Sequence, residues 1–152
     1  MTNDPVPTIH TSAVLIGAKA VLIRGPSGAG KSLLAWDLIE AARQGALPFA
    51  RLVADDRAHL EVAGGHLLVR PAPALAGLIE VRGLGIRQLA YEPVAVVGVV
   101  VDLAATDAAR YPGSEARNVT IDGVILPRLA VASGLQALPL MLAILRTKPV
   151  GD

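Results

Sequence analysis

Short apolar runs, parted by glycine, proline and paired charges, divide the chain into strands and one early helix. Ile9-His-Thr-Ser-Ala-Val-Leu-Ile16 and Ala20-Val-Leu-Ile23 flank the turn Gly17-Ala-Lys19, which predicts a β-hairpin. After a glycine-rich turn the period changes to helical. Leu34, Leu38 and Ala42, with Ala35 and Ile39 beside them, form one stripe, predicting a helix from Lys31 to about Gln44 with Gly45 as its stop. Trp36 on that helix reads as a packing residue. Leu47 to Ala54 is β-prone and ends at Asp55-Asp56, and His59–Val62 and His66–Arg70 flank Ala63-Gly-Gly65 as a second hairpin. Val94 to Val101 lacks alternation, the mark of a strand buried on both faces, and Asp102 closes it. Residues 104–123 read as a loop with short, ill-defined structure, Val124-Ile-Leu-Pro127 as a final strand, and residues 133–147 as a closing helix with Pro139 early in it. The two prolines among residues 1–8 suggest a loose arm. No repeat or linker interrupts the pattern, so residues 1–152 are expected to form a single α/β domain with a mixed sheet.

Composition narrows the function. Hydrophobic residues make up 53% of the 152 positions and charged residues 18%, which excludes a disordered chain. The net charge is +1 with scattered basic residues, and aromatic residues make up only 3%; neither a basic footprint nor a base-stacking platform for nucleic acid is present. There is no cysteine, so disulfides, thiolate metal sites and cysteine nucleophiles are excluded. The first residues lack the basic and apolar regions of a signal peptide, and the longest apolar run is too short to cross a bilayer. A cytoplasmic protein without a membrane partner is the expectation.

The chemistry centres on the turn between the second strand and the first helix. Gly25, Gly30, Lys31 and Ser32 occupy every fixed position of the G-x-x-x-x-G-K-[ST] phosphate-binding loop, with Pro26, Ser27, Gly28 and Ala29 between them. Glycines let successive N–H groups curl around a phosphate, and the helix that follows aims its positive end at the same anion. Lys31 is placed to reach the β- and γ-phosphates, and the Ser32 hydroxyl to ligate Mg²⁺. Asp55-Asp56 lies 24 residues beyond Lys31, enough for one helix and one returning strand. A carboxylate at the tip of a strand beside the loop strand is where an NTPase sets its Mg²⁺ ligand or base. Leu78-Ile-Glu-Val-Arg-Gly-Leu-Gly-Ile86 supports two readings, a strand whose Glu80 and Arg82 face solvent, or a glycine-hinged loop that approaches phosphate. The residues alone leave both open. His10 by itself is a strand-end histidine, and His59 and His66, without a third donor, are ordinary hairpin residues.

His10, the phosphate loop, Leu52-Val-Ala-Asp-Asp56 and the Leu78–Ile86 run, in this order and spacing, closely resemble the catalytic domain of HPr kinase/phosphorylase. The likeness is clear over about residues 9–103. It implies a fold related to the nucleotide-binding part of phosphoenolpyruvate carboxykinase. It also implies a bifunctional enzyme of the bacterial sugar phosphotransferase system. Such enzymes phosphorylate a serine of the carrier protein HPr with ATP and Mg²⁺, and remove that phosphate with inorganic phosphate, releasing pyrophosphate. By position, Asp55 matches the base toward the serine hydroxyl, and Asp56 a residue that orients the site or holds the metal. Glu80 would assist the metal, Arg82 the phosphates, and His10 would lie near the phosphate site.

In its departures from the family pattern the chain resembles the compact form found in alphaproteobacteria, whose carrier belongs to a nitrogen-linked branch. The family's additional N-terminal domain has no counterpart in this sequence, and the C-terminal tail is short. The position after the loop serine, commonly acidic in the family, is Leu33. The family's later Pro-Gly-Arg-Asn run, tied to hexamer contacts and the active site, is replaced by Leu126-Pro-Arg-Leu129, with Arg128 as the candidate substitute. These departures bear on phosphorylase activity and on assembly into a homo-oligomer. The competing readings are another P-loop small-molecule kinase and a non-catalytic ATP-binding sensor.

Overall fold

The computed structural model describes residues 7–150, so most of the expected N-terminal arm lies outside the described residues. Its last two residues are tied down. The Thr8 hydroxyl accepts from Arg57 at 3.2 Å, and the Pro7 carbonyl lies 2.9 Å from His59 Nδ1.

The elements in chain order are β1 (Ile9–His10), β2 (Ser12–Ile16), β3 (Lys19–Arg24), α1 (Lys31–Arg43), β4 (Ala50–Ala54), β5 (Arg57–Ala63), β6 (His66–Pro71), β7 (Leu78–Val81), β8 (Gly85–Gln88), β9 (Ala95–Leu103), β10 (Asn118–Ile121), β11 (Val124–Val131) and α2 (Ala137–Arg146). The main sheet is mixed and runs β1-β5-β6-β9-β3-β2-β4, with β11 also paired to β9 and carrying β10 at its edge. β3, β9 and β11 are parallel, whereas β2 is antiparallel to both β3 and β4.

The residues of β3 point alternately into two cores. Val21 and Ile23 meet Leu34 and Leu38 of α1 and Met141 of α2, while Ala20 and Leu22 meet Leu67, Val69 and Leu126 on the other face. A strand apolar on both faces therefore sits at the centre, as its unbroken hydrophobic sequence requires. In α1 the buried set is Leu34, Ala35, Leu38 and Ala41, one residue short of the expected Ala42. The helix ends as expected. Gly45 takes φ 86°, its N–H donates to Ala42 and that of Ala46 to Ala41, which closes the last carbonyls.

Four expectations need correction. The first apolar run breaks at Thr11, whose N–H donates to the Asp56 carbonyl and whose hydroxyl donates to the Ile23 carbonyl at 2.6 Å. The two halves then pair differently, β1 with β5 and β2 with β3 and β4. The strand carrying Asp55-Asp56 is not beside the loop strand, because β2 lies between them. The stretch read as loop contains β10, paired with β11 across the Asp122-Gly123 turn. The closing helix begins at Ala137 rather than residue 133, since Gly134 at φ 86° and the extended Gln136 delay it. Pro139 then falls in the first turn, where its missing N–H costs nothing.

Candidate active site

The phosphate loop joins β3 to α1, and two glycines define its shape. A Cβ on Gly25 would meet Leu103 Cβ at 3.1 Å and the Leu103 carbonyl at 3.2 Å, so only glycine lets the loop leave the sheet this close to β9. Gly30 caps α1 from a left-handed conformation at φ 100°, which turns the chain into the helix directly behind the loop. Lys31 Nζ donates to the carbonyls of Gly25 and Pro26 at 2.8 and 3.2 Å, holding its ammonium across the loop.

Asp55 and Asp56 share a turn but have different surroundings. Asp55 is 5% exposed. Its Oδ1 accepts from the Ser12 and Ser32 hydroxyls, both at 2.7 Å, and its Oδ2 accepts from Ser32 at 2.9 Å and from the Glu80 N–H at 3.0 Å. One carboxylate therefore gathers the loop serine, the intervening strand β2 and the start of the β7–β8 hairpin. Every donor is neutral, so the negative charge stays uncompensated beside Ser32. Asp56 follows in a left-handed conformation at φ 69° with a side chain 62% exposed. Strand β1 pairs His10 with Arg57, and this sets His10 Nδ1 3.7 Å from Asp56 Oδ1.

These elements enclose a cleft of about 1010 Å³. Its walls carry the loop from Gly25 to Ser32 together with His10, Asp56, Glu80 and Arg82. Both open readings of the Leu78–Ile86 run are thus partly met: it is a β-hairpin, and its Glu80, Val81 and Arg82 line the cleft that the phosphate loop also lines. The phosphate loop, His10, Asp56, Glu80 and Arg82 all line this cleft, whereas Asp55 stands behind Ser32 and Arg128 lies elsewhere. Trp36 does pack against the core, and it also lines the cleft beside Leu33.

Sequence reading missed Ser12, fully buried and bonded to Asp55. The signal was available: two hydroxyl residues, Thr11 and Ser12, interrupt an otherwise apolar run. A second carboxylate cluster was missed too. Asp102 on β9 accepts from Arg24 Nε and NH2 at 2.7 and 2.8 Å and from Arg128 Nε at 2.6 Å, while Arg128 also holds Asp107 at 2.7 Å. Burial pushes the Asp102 carboxyl up, but hydrogen bonds and charge from Arg24 and Arg128 outweigh it and hold the group below the ordinary carboxylate range. Arg128 is 13% exposed, its guanidinium fixed by Asp107 and Asp102, and it does not line the cleft.

The donors suit Mg²⁺, which keeps most of its waters and takes one or two protein ligands beside substrate phosphates. The Ser32 hydroxyl donates its proton to Asp55, which turns its lone pairs away from that carboxylate, and Asp56 and Glu80 line the cleft. Among the described residues no group of three His, Cys, Asp or Glu forms a closed metal cage, and no helix is long and apolar enough to cross a membrane.

Comparison with known proteins identifies relatives of the chain. Over 138 residues the chain is 34% identical to an HPr kinase/phosphorylase of Limosilactobacillus reuteri, covering 84% of this chain and 41% of that protein. It is 41% identical over 87 residues to one of Exiguobacterium sp., covering 57% of this chain and 26% of the relative. The chain thus spans between a quarter and two-fifths of the length of these curated relatives. The solved HPr(Ser) kinase/phosphatase of Coxiella burnetii superposes with a TM-score of 0.69 at 24% identity, covering 90% of this chain and 91% of that one, and so shares the fold. Residues 4–92 match the family described as HPr Serine kinase C-terminal domain, well over half of the chain, and the protein belongs to that family.

Proposed function

We propose that the protein is a protein-serine kinase that transfers the γ-phosphoryl group of ATP to an HPr-type carrier. The observation that carries this reading is the pairing of two carboxylates at the tip of β4, one buried on the loop serine and one exposed to the cleft. Phosphoryl transfer asks mainly for charge neutralisation and alignment. The loop amides and Lys31 supply the first. Mg²⁺, held by Ser32 with Glu80, would neutralise charge on the β- and γ-phosphates, which leaves Asp56 free to act as the base.

The roles of the two aspartates differ from those that resemblance implies. Asp55 has its oxygens filled by Ser12, Ser32 and the Glu80 amide, and a serine on another protein has no route to it. We assign it to orienting Ser32. Asp56 faces the cleft and takes the proton from the incoming serine hydroxyl. The serine oxygen then bonds to the γ-phosphorus, the bond to the bridging oxygen breaks, and ADP leaves with that electron pair. His10, beside Asp56, keeps the carboxylate turned toward the cleft, and Arg82 meets the phosphates from the hairpin. In reverse, inorganic phosphate attacks phosphoserine, Asp56 returns the proton to the serine oxygen, and pyrophosphate departs.

Incubation with HPr, Mg²⁺ and γ-labelled ATP tests the proposal. Label on an HPr serine is the expected result. Clear ATP binding without transfer to HPr would reject it in favour of a nucleotide sensor, and release of pyrophosphate from phospho-HPr on adding phosphate tests the reverse step.

A further inference from the structure

We infer that a second, smaller cavity holds the nucleobase of the nucleotide whose phosphates occupy the main cleft; the inference rests on the nucleotide-binding reading above. β3, β9 and β11 lie side by side and run parallel. In open α/β sheets ligands settle in the crevice beyond the carboxyl ends of such strands. The end of β3 opens into the phosphate loop, and the ends of β9 and β11, at Leu103 and Val131, open into a cavity of about 150 Å³. Gly28 and Ala29 form part of the wall of both spaces, so the two meet across the outer limb of the loop.

Chemistry gives the direction of the ligand. The transferred phosphoryl group must lie with Lys31, Ser32 and Asp56, so the nucleoside leaves past the opposite limb, where Gly28 and Ala29 border the smaller cavity. The cavity's lining is small and carries no charge. No charged side chain lines it, and Ser133 is the only lining side chain with a hydrogen-bonding group. Ala104 and Ala132 are small, and Leu135, 62% exposed at the rim, offers an apolar surface to one face of a ring. Ala104 takes a left-handed conformation at φ 53°, unusual for a residue with a Cβ, and the next N–H, of Ala105, donates to the Val131 carbonyl at 2.9 Å. That bond ties the two strand ends into one floor. The wall presents chiefly backbone polar groups and the Ser133 hydroxyl, with Leu135 beside them, which can meet the hydrogen-bonding edge and one face of a purine.

Ser133 and Leu135 are exposed, so substitutions there spare the core. The test compares affinity for MgATP and for magnesium tripolyphosphate, which shares the phosphates and lacks the nucleoside, by titration calorimetry. Ser133→Trp, which fills the cavity mouth, should weaken MgATP about tenfold, and Leu135→Glu about three- to tenfold, while tripolyphosphate stays within about twofold. In the unsubstituted protein, NOEs should link adenine H2 and H8 to the Leu135 and Val131 methyls. Unchanged MgATP affinity in both variants, or an equal loss for both ligands, would overturn the nucleobase site while leaving the phosphate loop intact. Binding of neither ligand by the unsubstituted protein would overturn the nucleotide-binding reading and this inference with it.

Discussion

Asp55 at the tip of β4 and Asp102 near the tip of β9 are both largely buried carboxylates flanking the phosphate loop, yet their partners differ in kind. Asp55 is held by two hydroxyls and an amide, Asp102 by two guanidinium groups. Neutral donors fix a carboxylate in place and leave its charge acting on its surroundings, whereas guanidinium groups cancel it. β9 is the parallel neighbour of the loop strand and so the obvious source of a metal-organising acid. Its charge is already consumed in bracing β3 against β9 and β11. The more distant β4 supplies the working pair, with Ser12 of β2 filling the gap between. Proximity in the sheet is thus a poor guide to function here, and the identity of the donors is a better one.

Removing each charge should separate bracing from chemistry. Asp102→Asn should cost roughly 1–3 kcal/mol of stability, because Arg24 loses its anion and Arg128 is left with Asp107 alone. The folded variant should keep its MgATP affinity within about threefold. Urea titration and calorimetry check the two halves. The same change should alter acid stability. The folded carboxyl titrates below its unfolded value, so its stabilisation is complete above the unfolded value and is lost as pH falls through the folded one. The wild type should therefore lose this stability only below about pH 4, and Asp102→Asn should show a shallower decline there.

Asp55→Asn should behave in the opposite way, lowering magnesium-dependent activity about 10–100-fold through Ser32 while shifting stability less than Asp102→Asn does. Ser12→Ala removes one of the neutral donors and should cost about 1 kcal/mol, with a small loss of activity. Asp107→Asn should have the smallest effect. Asp107 is the exposed partner of Arg128, and its loss should leave the thermal midpoint within the scatter of the measurement.

Much of this was legible in the order of residues. The β2–β3 and β5–β6 hairpins, the phosphate loop, α1 with its Gly45 stop, and the doubly buried β9 all follow from local pattern, because each is fixed by turn residues or hydrophobic period. Features that depend on partners distant in the chain were not. The break at Thr11 needs β5 on one side and β4 on the other. Arg24 and Asp102 lie 78 residues apart, and nothing in either neighbourhood announces the pair. The same limit divided Asp55 from Asp56. Adjacent and chemically identical, they differ only in which side of the turn meets Ser12 and Ser32.

That division is the centre of the account, and one measurement tests it most directly. Single-turnover transfer from γ-labelled ATP to HPr, run with Asp56→Asn alongside a parallel MgATP titration, should show transfer slowed about 10²–10⁴-fold with nucleotide affinity nearly unchanged. Transfer at the wild-type rate in Asp56→Asn would contradict the assignment of the cleft-facing aspartate as the base.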